Sequence, residues 1–159
     1  NHQLYRVTPL STRANVAYFG TFGYELDLNL LSDREMEMVK EQIEFMKENR
    51  ELIQMDGDFY RLRRPFEGND TAWMVVSQDK KQAIAGFYQK LNKVNASWLR
   101  LKLQGLDKER LYDVQCEETI YQAYGDELMY VGIPLDRERL NKKGGDFASL
   151  IYVLKEAEK

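Results

Sequence analysis

Histidine, cysteine and proline are scarce in this chain of 159 residues, which has one histidine, one cysteine and three prolines. Cys116 has no second cysteine as a partner, which excludes an internal disulfide and fits a reducing compartment such as the cytoplasm. A single histidine, His2, excludes zinc sites with several histidine or cysteine ligands and most triad chemistry. Long apolar runs are also missing, because none approaches the roughly 20 residues that a membrane-spanning helix needs.

An excess of charge of one sign is absent as well. The 23 basic and 26 acidic residues give a net charge of -3, and the two signs alternate along most of the chain. Proteins that bind nucleic acid through phosphates usually carry a basic surplus or stripe, and the one tight basic cluster (Arg61, Arg63, Arg64) is short. We therefore expect neither a nucleic-acid nor a membrane partner.

The composition that remains, 43% hydrophobic and 31% charged residues, is typical of a globular domain with its own core. The N-terminal residues 1–4 lack an initiator Met and the basic-then-apolar pattern of a signal peptide. We expect the chain to be cut from a longer protein.

The first 31 residues do not form a self-contained pattern. Thr8 is a plausible N-cap and Pro9 a plausible first residue of a helix that ends near Gly20. The alternating residues 24–28 indicate one short strand, for which the sequence offers no obvious partner. We expect one apolar face of this segment to be mobile or to be buried against another chain; its residues are Val16, Phe19, Phe22 and Leu28.

A helix over residues 32–53 is the clearest element. Ser32 and Glu35 have the spacing of a capping box, in which each side chain bonds the other residue's backbone N–H. Apolar residues then recur at three- and four-residue steps: Met36, Val39, Ile43, Met46 and Ile53. The helix is predicted to stop near Gln54.

From Asp58 onward the hydrophobic period is two. Leu99, Leu101 and Leu103 alternate with polar residues, which predicts a half-buried strand. Further strands are predicted at 72–76, 84–91, 111–116, 119–124, 128–133 and 150–154, separated by polar turns. Short strands at this spacing, with no helices predicted between them, indicate a mainly β fold, an antiparallel sandwich or barrel.

Three pairs of carboxylates could serve glycoside hydrolysis, which needs two carboxyl groups facing each other across a sugar. The pairs are Asp56 with Asp58, Glu117 with Glu118, and Asp126 with Glu127. All are predicted in polar turns or at strand ends, so we interpret them as solvated turn residues. Adjacent residues of a strand also point to opposite faces, which argues against a hydrolase built on Asp126 and Glu127.

The remaining candidates are aromatic residues, the histidine and the cysteine. Trp73 and Trp98 could stack on sugars, although core packing is the more common role of a tryptophan. Trp98 lies on the polar side of its predicted strand and is the better candidate for an exposed ring. His2 is interpreted as solvated, and Cys116 as a small buried residue rather than a nucleophile.

Ten segments, in order along the chain, resemble the C-terminal third of the large bacterial α-galactosidases of the raffinose and melibiose type, glycoside hydrolase family thirty-six. The run Phe-Gly-Tyr-Glu-Leu-Asp-Leu at 22–28 is the most specific of them. The ten segments are 1–3, 8–14, 19–28, 50–54, 58–62, 72–77, 99–102, 105–107, 125–129 and 145–149.

The resemblance implies a division of the chain. Residues 1–55 would be the last strand and helices of a (β/α)₈ barrel, with residues 24–28 near its final strand. Residues 56–159 would be a C-terminal antiparallel β-sandwich domain.

The resemblance also implies the parent's chemistry, which is hydrolysis of terminal α-galactosides with retention and without a metal or an organic cofactor. The family's nucleophile belongs to a Lys-Trp-Asp motif and its acid/base to a Ser-Asp-x-Thr-Asp motif, and this sequence contains neither. No catalytic, cofactor-binding or metal-binding residue is therefore assigned, and substrate-binding residues stay open. The implied partners are the rest of the barrel, the parent's α-galactoside substrate and further copies in a homo-oligomer. The alternative hypothesis is a sugar-binding β-sandwich module that uses Trp98.

Overall fold

The centre of the fold is a six-stranded antiparallel sheet, seen in a computed structural model that describes residues 7–93 and 99–158. Its order is β1-β2-β3-β8-β5-β6, and a separate pair, β4 and β7, forms a two-stranded sheet. The strands are β1 (Asp58–Arg63), β2 (Asp70–Val76), β3 (Gln82–Gln89), β4 (Arg100–Leu101), β5 (Leu111–Cys116), β6 (Thr119–Tyr124), β7 (Ile133–Pro134) and β8 (Ser149–Glu156).

Helices lie on the sheet and between its later strands. They are α1 (Leu10–Ala17), α2 (Asp33–Arg50), α3 (Gly125–Tyr130) and α4 (Arg137–Lys142). A 3₁₀ turn at Leu28–Leu30 precedes α2, and a π-helical turn at Glu51–Asp56 follows it.

The main core lies between one face of the large sheet and the layer formed by β4, β7, α3 and α4. From the sheet it contains Met74, Phe87 and Tyr112, and from the covering layer Leu101 and Leu128, each at most 2% exposed. Because side chains alternate along a strand, every second residue of β2 and β3 reaches this core. The mainly β, two-layered antiparallel arrangement predicted from the sequence is confirmed.

A second core lies on the opposite face of the sheet, under α1 and α2. Val75 and Ile84 project from the sheet towards Tyr18 and Met46, and Ile84 is fully buried. The π-helical turn also contributes Leu52 and Ile53 to this core. The helical segment predicted ahead of the β region is therefore present and packs directly on the sheet.

Two predictions for the N-terminal region were partly wrong. Helix α1 begins one residue later than expected, because Pro9 is the N-cap residue and its carbonyl accepts from Arg13 N at 3.1 Å, while no side chain caps the helix. Residues 24–28 form no strand. They have no partner strand among the described residues, and Asp27 instead accepts a hydrogen bond from Asn29 N and starts the 3₁₀ turn.

The capping box at the start of α2 is confirmed. Glu35 N donates to Ser32 Oγ at 3.3 Å, and Ser32 N donates to Glu35 Oε2 at 2.9 Å. The regular α-helix ends at Arg50, earlier than predicted, and the chain continues as the π-helical turn to Asp56.

The strand predicted at 128–133 is wrong, because residues 128–130 belong to helix α3 and only Ile133, in β7, is part of a strand. The first residue of the helix, Gly125, must be a glycine, because an added Cβ would lie 1.9 Å from Asp107 O. The helix stops at Gly132, which has a φ of +84°. Val131 N and Gly132 N both donate to Glu127 O, as in the glycine-terminated helix ends of many proteins. With α4, the described residues after Asp58 therefore include two helices, contrary to the prediction that this region has none.

Candidate functional site

The first carboxylate pair, Asp56 and Asp58, is exposed where the π-helical turn meets β1. Gln78 Nε2 joins the two, donating to Asp56 O and to Asp58 Oδ1, both at 3.1 Å. The Asp56 contact uses its backbone carbonyl and not its carboxylate. The pair therefore ties the β2–β3 turn to the start of β1, as expected of turn residues.

The second pair, Glu117 and Glu118, forms the two-residue turn between β5 and β6. Glu117 has a φ of +53° and its carboxylate pairs with Lys143 Nζ at 2.6 Å and with Arg139 Nε at 3.5 Å. Arg139 also donates to Cys116 O at 2.9 Å. These bonds fasten α4 to the hairpin, and they give Glu117 a structural role.

The third pair, Asp126 and Glu127, lies in the first turn of α3, not on a strand as predicted. Both residues are exposed, and Glu127 N donates to Asp126 Oδ1 at 2.7 Å. Acidic residues at a helix N-terminus are favoured by the helix dipole. The argument from opposite strand faces does not apply to them, and local helix stabilisation accounts for their position.

Trp73 packs within the fold, as the sequence interpretation favoured. Its ring stacks on Tyr88 with ring centroids 4.3 Å apart, and Phe19 meets it edge-on at 6.1 Å. A ring that stacks on a sugar must leave at least one of its faces open to the ligand. Tyr88 and Phe19 already contact the Trp73 ring. Trp73 thus holds the end of α1 against the sheet.

His2 and Trp98 lie outside the described residues, as does the resemblance segment at 1–3. Cys116 is buried, as expected, and burial raises the pKa of its thiol. Within residues 7–93 and 99–158, no three His, Cys, Asp or Glu side chains come together as metal ligands. In the same part of the chain, no helix has the length and apolarity to cross a bilayer.

A set of partly and fully buried hydrogen bonds joins α1 to the sheet. Ser149, at the start of β8, is 1% exposed, and its hydroxyl is 2.8 Å from Thr12 Oγ1 and 2.8 Å from Asn15 Nδ2. Tyr88 OH donates to Asn15 O at 2.6 Å, and burial raises the pKa of Tyr88. Sequence reasoning missed this set; the one signal available was a serine leading into an apolar strand.

An aromatic group closes the space between α1 and α2. Tyr18 contacts Phe22 and Phe45, with ring centroids 5.3 Å and 4.6 Å away, and Tyr24 OH donates to Gln42 Oε1 at 2.6 Å. The expectation that this N-terminal apolar face lacks partners within the chain is therefore wrong for Phe22. It is also wrong for Phe19, which is half-buried against Trp73.

Several apolar side chains of the helical region remain exposed. Val16 and Leu28 are each 45% exposed, as expected for part of the face, and Leu30 and Met55 are more exposed still. A cleft of about 610 Å³ lies between residues 21–24 and α2, with the cationic side chains of Lys47 and Arg50 at its wall. The helical region thus leaves several apolar side chains exposed on one side of a well-packed sheet.

Comparison with known families divides the chain into two parts. Residues 1–56 match the family model described as Melibiase, and residues 70–154 match the C-terminal domain of glycosyl hydrolase family 36. The β1 strand and the β1–β2 loop lie between the two matches.

Sequence relatives of the chain are much longer proteins. The alpha-galactosidase AgaA of Geobacillus stearothermophilus is 43% identical over 155 residues, which are 98% of this chain and 20% of the relative. The bifunctional alpha-galactosidase/sucrose kinase AgaSK of Mediterraneibacter gnavus is 39% identical over 136 residues, 85% of this chain and 14% of the relative. This chain therefore spans about a fifth or less of the length of these relatives.

Solved structures agree with the sequence relatives. The GH36 alpha-galactosidase AgaA superposes with a TM-score of 0.88 at 43% identity, covering 99% of this chain and 21% of that structure. The alpha-galactosidase of Lactobacillus brevis gives a TM-score of 0.87 at 38% identity, covering 100% of this chain and 21% of that structure. The chain belongs to glycosyl hydrolase family 36 and carries the C-terminal domain of that family.

Proposed function

We propose that this chain is the C-terminal part of a retaining α-galactosidase, in which it supports the catalytic barrel and performs no chemistry itself. The observation that carries the proposal is the helical layer of residues 7–56, which falls in the Melibiase match and packs on the sheet of the C-terminal domain. The relatives that align with 98% and 99% of this chain are named alpha-galactosidases. The layer would thus connect a barrel to the β domain.

The proposed boundary lies at residue 55 or 56. Residues 1–55 would complete the barrel and residues 56–159 would form the β domain, since the π-helical turn ends at Asp56 and β1 begins at Asp58. Exposed apolar residues on the outside of the layer, including Val16 and Leu28, support a barrel on that side. The hydrogen bonds of Ser149 with Thr12 and Asn15 would then hold the β domain in a fixed position relative to the barrel's last helices.

The contacts that the candidate carboxylates make in the fold support the structural role. Glu117 is engaged by two cations, and Asp126 and Glu127 stabilise a helix start. A retaining glycosidase needs two carboxyl groups about 5–5.5 Å apart on either side of a sugar. In this proposal both groups belong to the barrel, and the substrate is a terminal α-galactoside.

The experiment compares the purified chain with the longer polypeptide that carries the barrel, using an aryl α-galactoside. We expect turnover by the longer protein and none by the chain. The longer protein is also prepared with Ser149→Ala. If the β domain positions the barrel, this variant should have a changed kcat, and an unchanged kcat would argue against the supporting role. Turnover by the chain alone would refute the proposal, and the carboxylate pairs would then be mutated singly.

The second candidate function is sugar binding by the β domain, which rests on Trp98 of the sequence. Saturable binding of galactose or raffinose by the chain, lost in Trp98→Ala and kept in Trp73→Phe, would favour it. A flat titration with both sugars would exclude it and leave the supporting role.

The proposal includes a cytoplasmic location and self-association. A single, buried, unpaired cysteine supports a reducing compartment. The exposed apolar side chains of Ile120 and Tyr124 on the sheet support contacts between copies. Fractionation of the source cells and the mass of the protein in solution test these two points separately.

A further inference from the structure

A second cleft, of about 800 Å³, lies between the helical layer and the sheet. Helix α2 contributes Phe45, Glu48 and Asn49 to its lining, and β8 contributes Ile151 and Val153. Small-molecule sites in proteins commonly have volumes of about 300–1,000 Å³. The cleft is therefore large enough for a small organic ligand.

The floor of this cleft is one face of the six-stranded sheet. Gln115 on β5 is paired with Val153, and Gln82 on β3 is paired with Lys155. Paired residues, and residues two apart on one strand, share a face, so these side chains lie on the same face as Ile151. Each of the strands β3, β8 and β5 lies between two other strands, which use its backbone groups. Recognition in the cleft therefore depends on side chains, which argues against a peptide that would bind as an added strand.

Four polar side chains of the lining have groups that the fold does not use. They are the Ser11 hydroxyl, the Glu48 carboxylate, the Gln82 amide and the Lys155 ammonium, and no described residue forms a hydrogen bond or an ion pair with any of these groups. Together they offer both donors and acceptors of hydrogen bonds. A ligand hydroxyl also donates and accepts, so several hydroxyls on one ligand would be complementary to this set.

The charges of the lining balance one another. Glu117 Oε1 and Lys143 Nζ are 2.6 Å apart, and this pair leaves one carboxylate, Glu48, and one ammonium, Lys155. A cleft that attracts a charged ligand is usually lined by an excess of the opposite charge. The lining therefore favours a neutral ligand.

Phe45 gives the cleft an aromatic wall beside its apolar floor. The ring is half-buried and contacts Tyr18, with the ring centroids 4.6 Å apart, so its position is supported from behind. Ile151 and Val153 supply the floor. Ligand sites commonly combine apolar surface with a few polar groups that fix orientation. A sugar ring has the matching character, because its C–H faces are apolar and its edge carries hydroxyls.

We propose that this cleft binds a neutral oligosaccharide, whose ring packs on the aromatic wall and the apolar floor while its hydroxyls bond Glu48, Gln82 and Lys155. The inference rests on the second candidate function, sugar binding, and deepens it by assigning the binding to residues other than Trp98. It is independent of the supporting role.

Titration of the chain with raffinose, followed by the amide chemical shifts in NMR spectra, tests the site. The shifts should saturate with a dissociation constant of about 1 mM or below and should be largest at cleft residues such as Val153. The double variant Glu48→Ala with Gln82→Ala should bind at least about tenfold more weakly, because each lost hydrogen bond costs roughly threefold to tenfold in affinity. The matched control is Glu44→Ala with Gln122→Ala, which removes the same two side-chain types from exposed positions outside the cleft and should bind as the unaltered chain does.

Charged sugars test the class of ligand. Galacturonate carries a carboxylate and galactosamine an ammonium on the ring of galactose, and neither should bind more tightly than galactose at the same ionic strength. Galactosamine is the more demanding probe, because an adjoining cleft is lined by Glu51, Asp56 and Asp79 and shares Glu48 with this one.

Three results would overturn the inference. The first is a flat titration of the folded chain up to about 50 mM raffinose. The second is binding that persists in the double cleft variant and is lost in Trp98→Ala, in which case sugar binding stands while the role of the cleft fails. The third is a preference for either charged sugar over galactose, which would give the cleft a charged ligand instead of a neutral one. The supporting role is unaffected by all three, since the activity of the longer protein tests it separately.

Discussion

The hydroxyl of Ser149 should contribute measurably to holding α1 on the sheet. It is 1% exposed and lies 2.8 Å from Thr12 Oγ1 and from Asn15 Nδ2. Ser149→Ala removes one oxygen and leaves the backbone bond from Tyr88 OH to Asn15 O in place. The change therefore isolates the side-chain part of the junction.

The expected loss follows from the burial of the two partners. Thr12 is 7% exposed, so its hydroxyl cannot readily bond water instead, and an unsatisfied buried group costs about 1–3 kcal/mol. Asn15 is half-buried, so water can replace part of its lost bond, and the smaller net value of about 0.5–1 kcal/mol applies. Because the two contributions overlap, we expect the free energy of unfolding to fall by about 2 kcal/mol.

Urea denaturation, followed by tryptophan fluorescence and by amide exchange in α1, measures this loss. Thr12→Val is the partner variant, and the double variant Thr12→Val with Ser149→Ala should cost about 1 kcal/mol less than the two single changes added together. The reasoning fails if Ser149→Ala changes the free energy of unfolding by less than about 0.5 kcal/mol. Strict additivity of the two changes would also contradict it.

Three further outcomes are expected. Ser32→Ala should cost about 1 kcal/mol and speed amide exchange at Glu35, whose N–H loses its acceptor, and unchanged exchange would contradict the capping box. Burial raises the pKa of the Cys116 thiol, so iodoacetamide at about pH 8 should react slowly with the folded chain and quickly in urea, and equal rates would refute this. Burial raises the pKa of Tyr121 to about 12 and also that of Tyr88, while unfolded phenols ionise near 10. The unfolded state then binds fewer protons, so the urea midpoint should fall as pH rises above about 10, and a constant midpoint up to about pH 11 would refute it.

Predictions from the sequence were correct where the interactions that fix an element join residues close together along the chain. The capping box of Ser32 and Glu35 joins residues three apart, and it is present as predicted. The β5–β6 hairpin has the predicted bounds, 111–116 and 119–124, because its register depends on a two-residue turn. Leu101 and Leu103 are buried as their alternation indicated, although the strand there is only two residues long.

Errors arose where two local preferences competed. Residues 128–133 are rich in apolar and aromatic side chains, which favours a strand, yet acidic residues at 126 and 127 and the glycine at 132 favour a helix. The segment begins as a helix in the fold, and at its first residue Gly125 approaches Asp107 O more closely than any residue with a Cβ could. Residues 24–28 show the converse, since an alternating segment does not form a strand without a partner.

Four features could be inferred from the order of amino acids alone: the helical start, the antiparallel β remainder, the absence of the two catalytic motifs of family 36 and the likeness to that family. The strand order, in which β8 lies between β3 and β5, and the two separate cores on either side of the sheet became visible only in the folded chain. The fold alone also brought Ser149 to Thr12, 137 residues away, and formed the cleft between α2 and β8. Side-chain periodicity identifies which residues of a strand are buried, but not which distant strand they pair with, because pairing depends on contacts summed over the whole sheet.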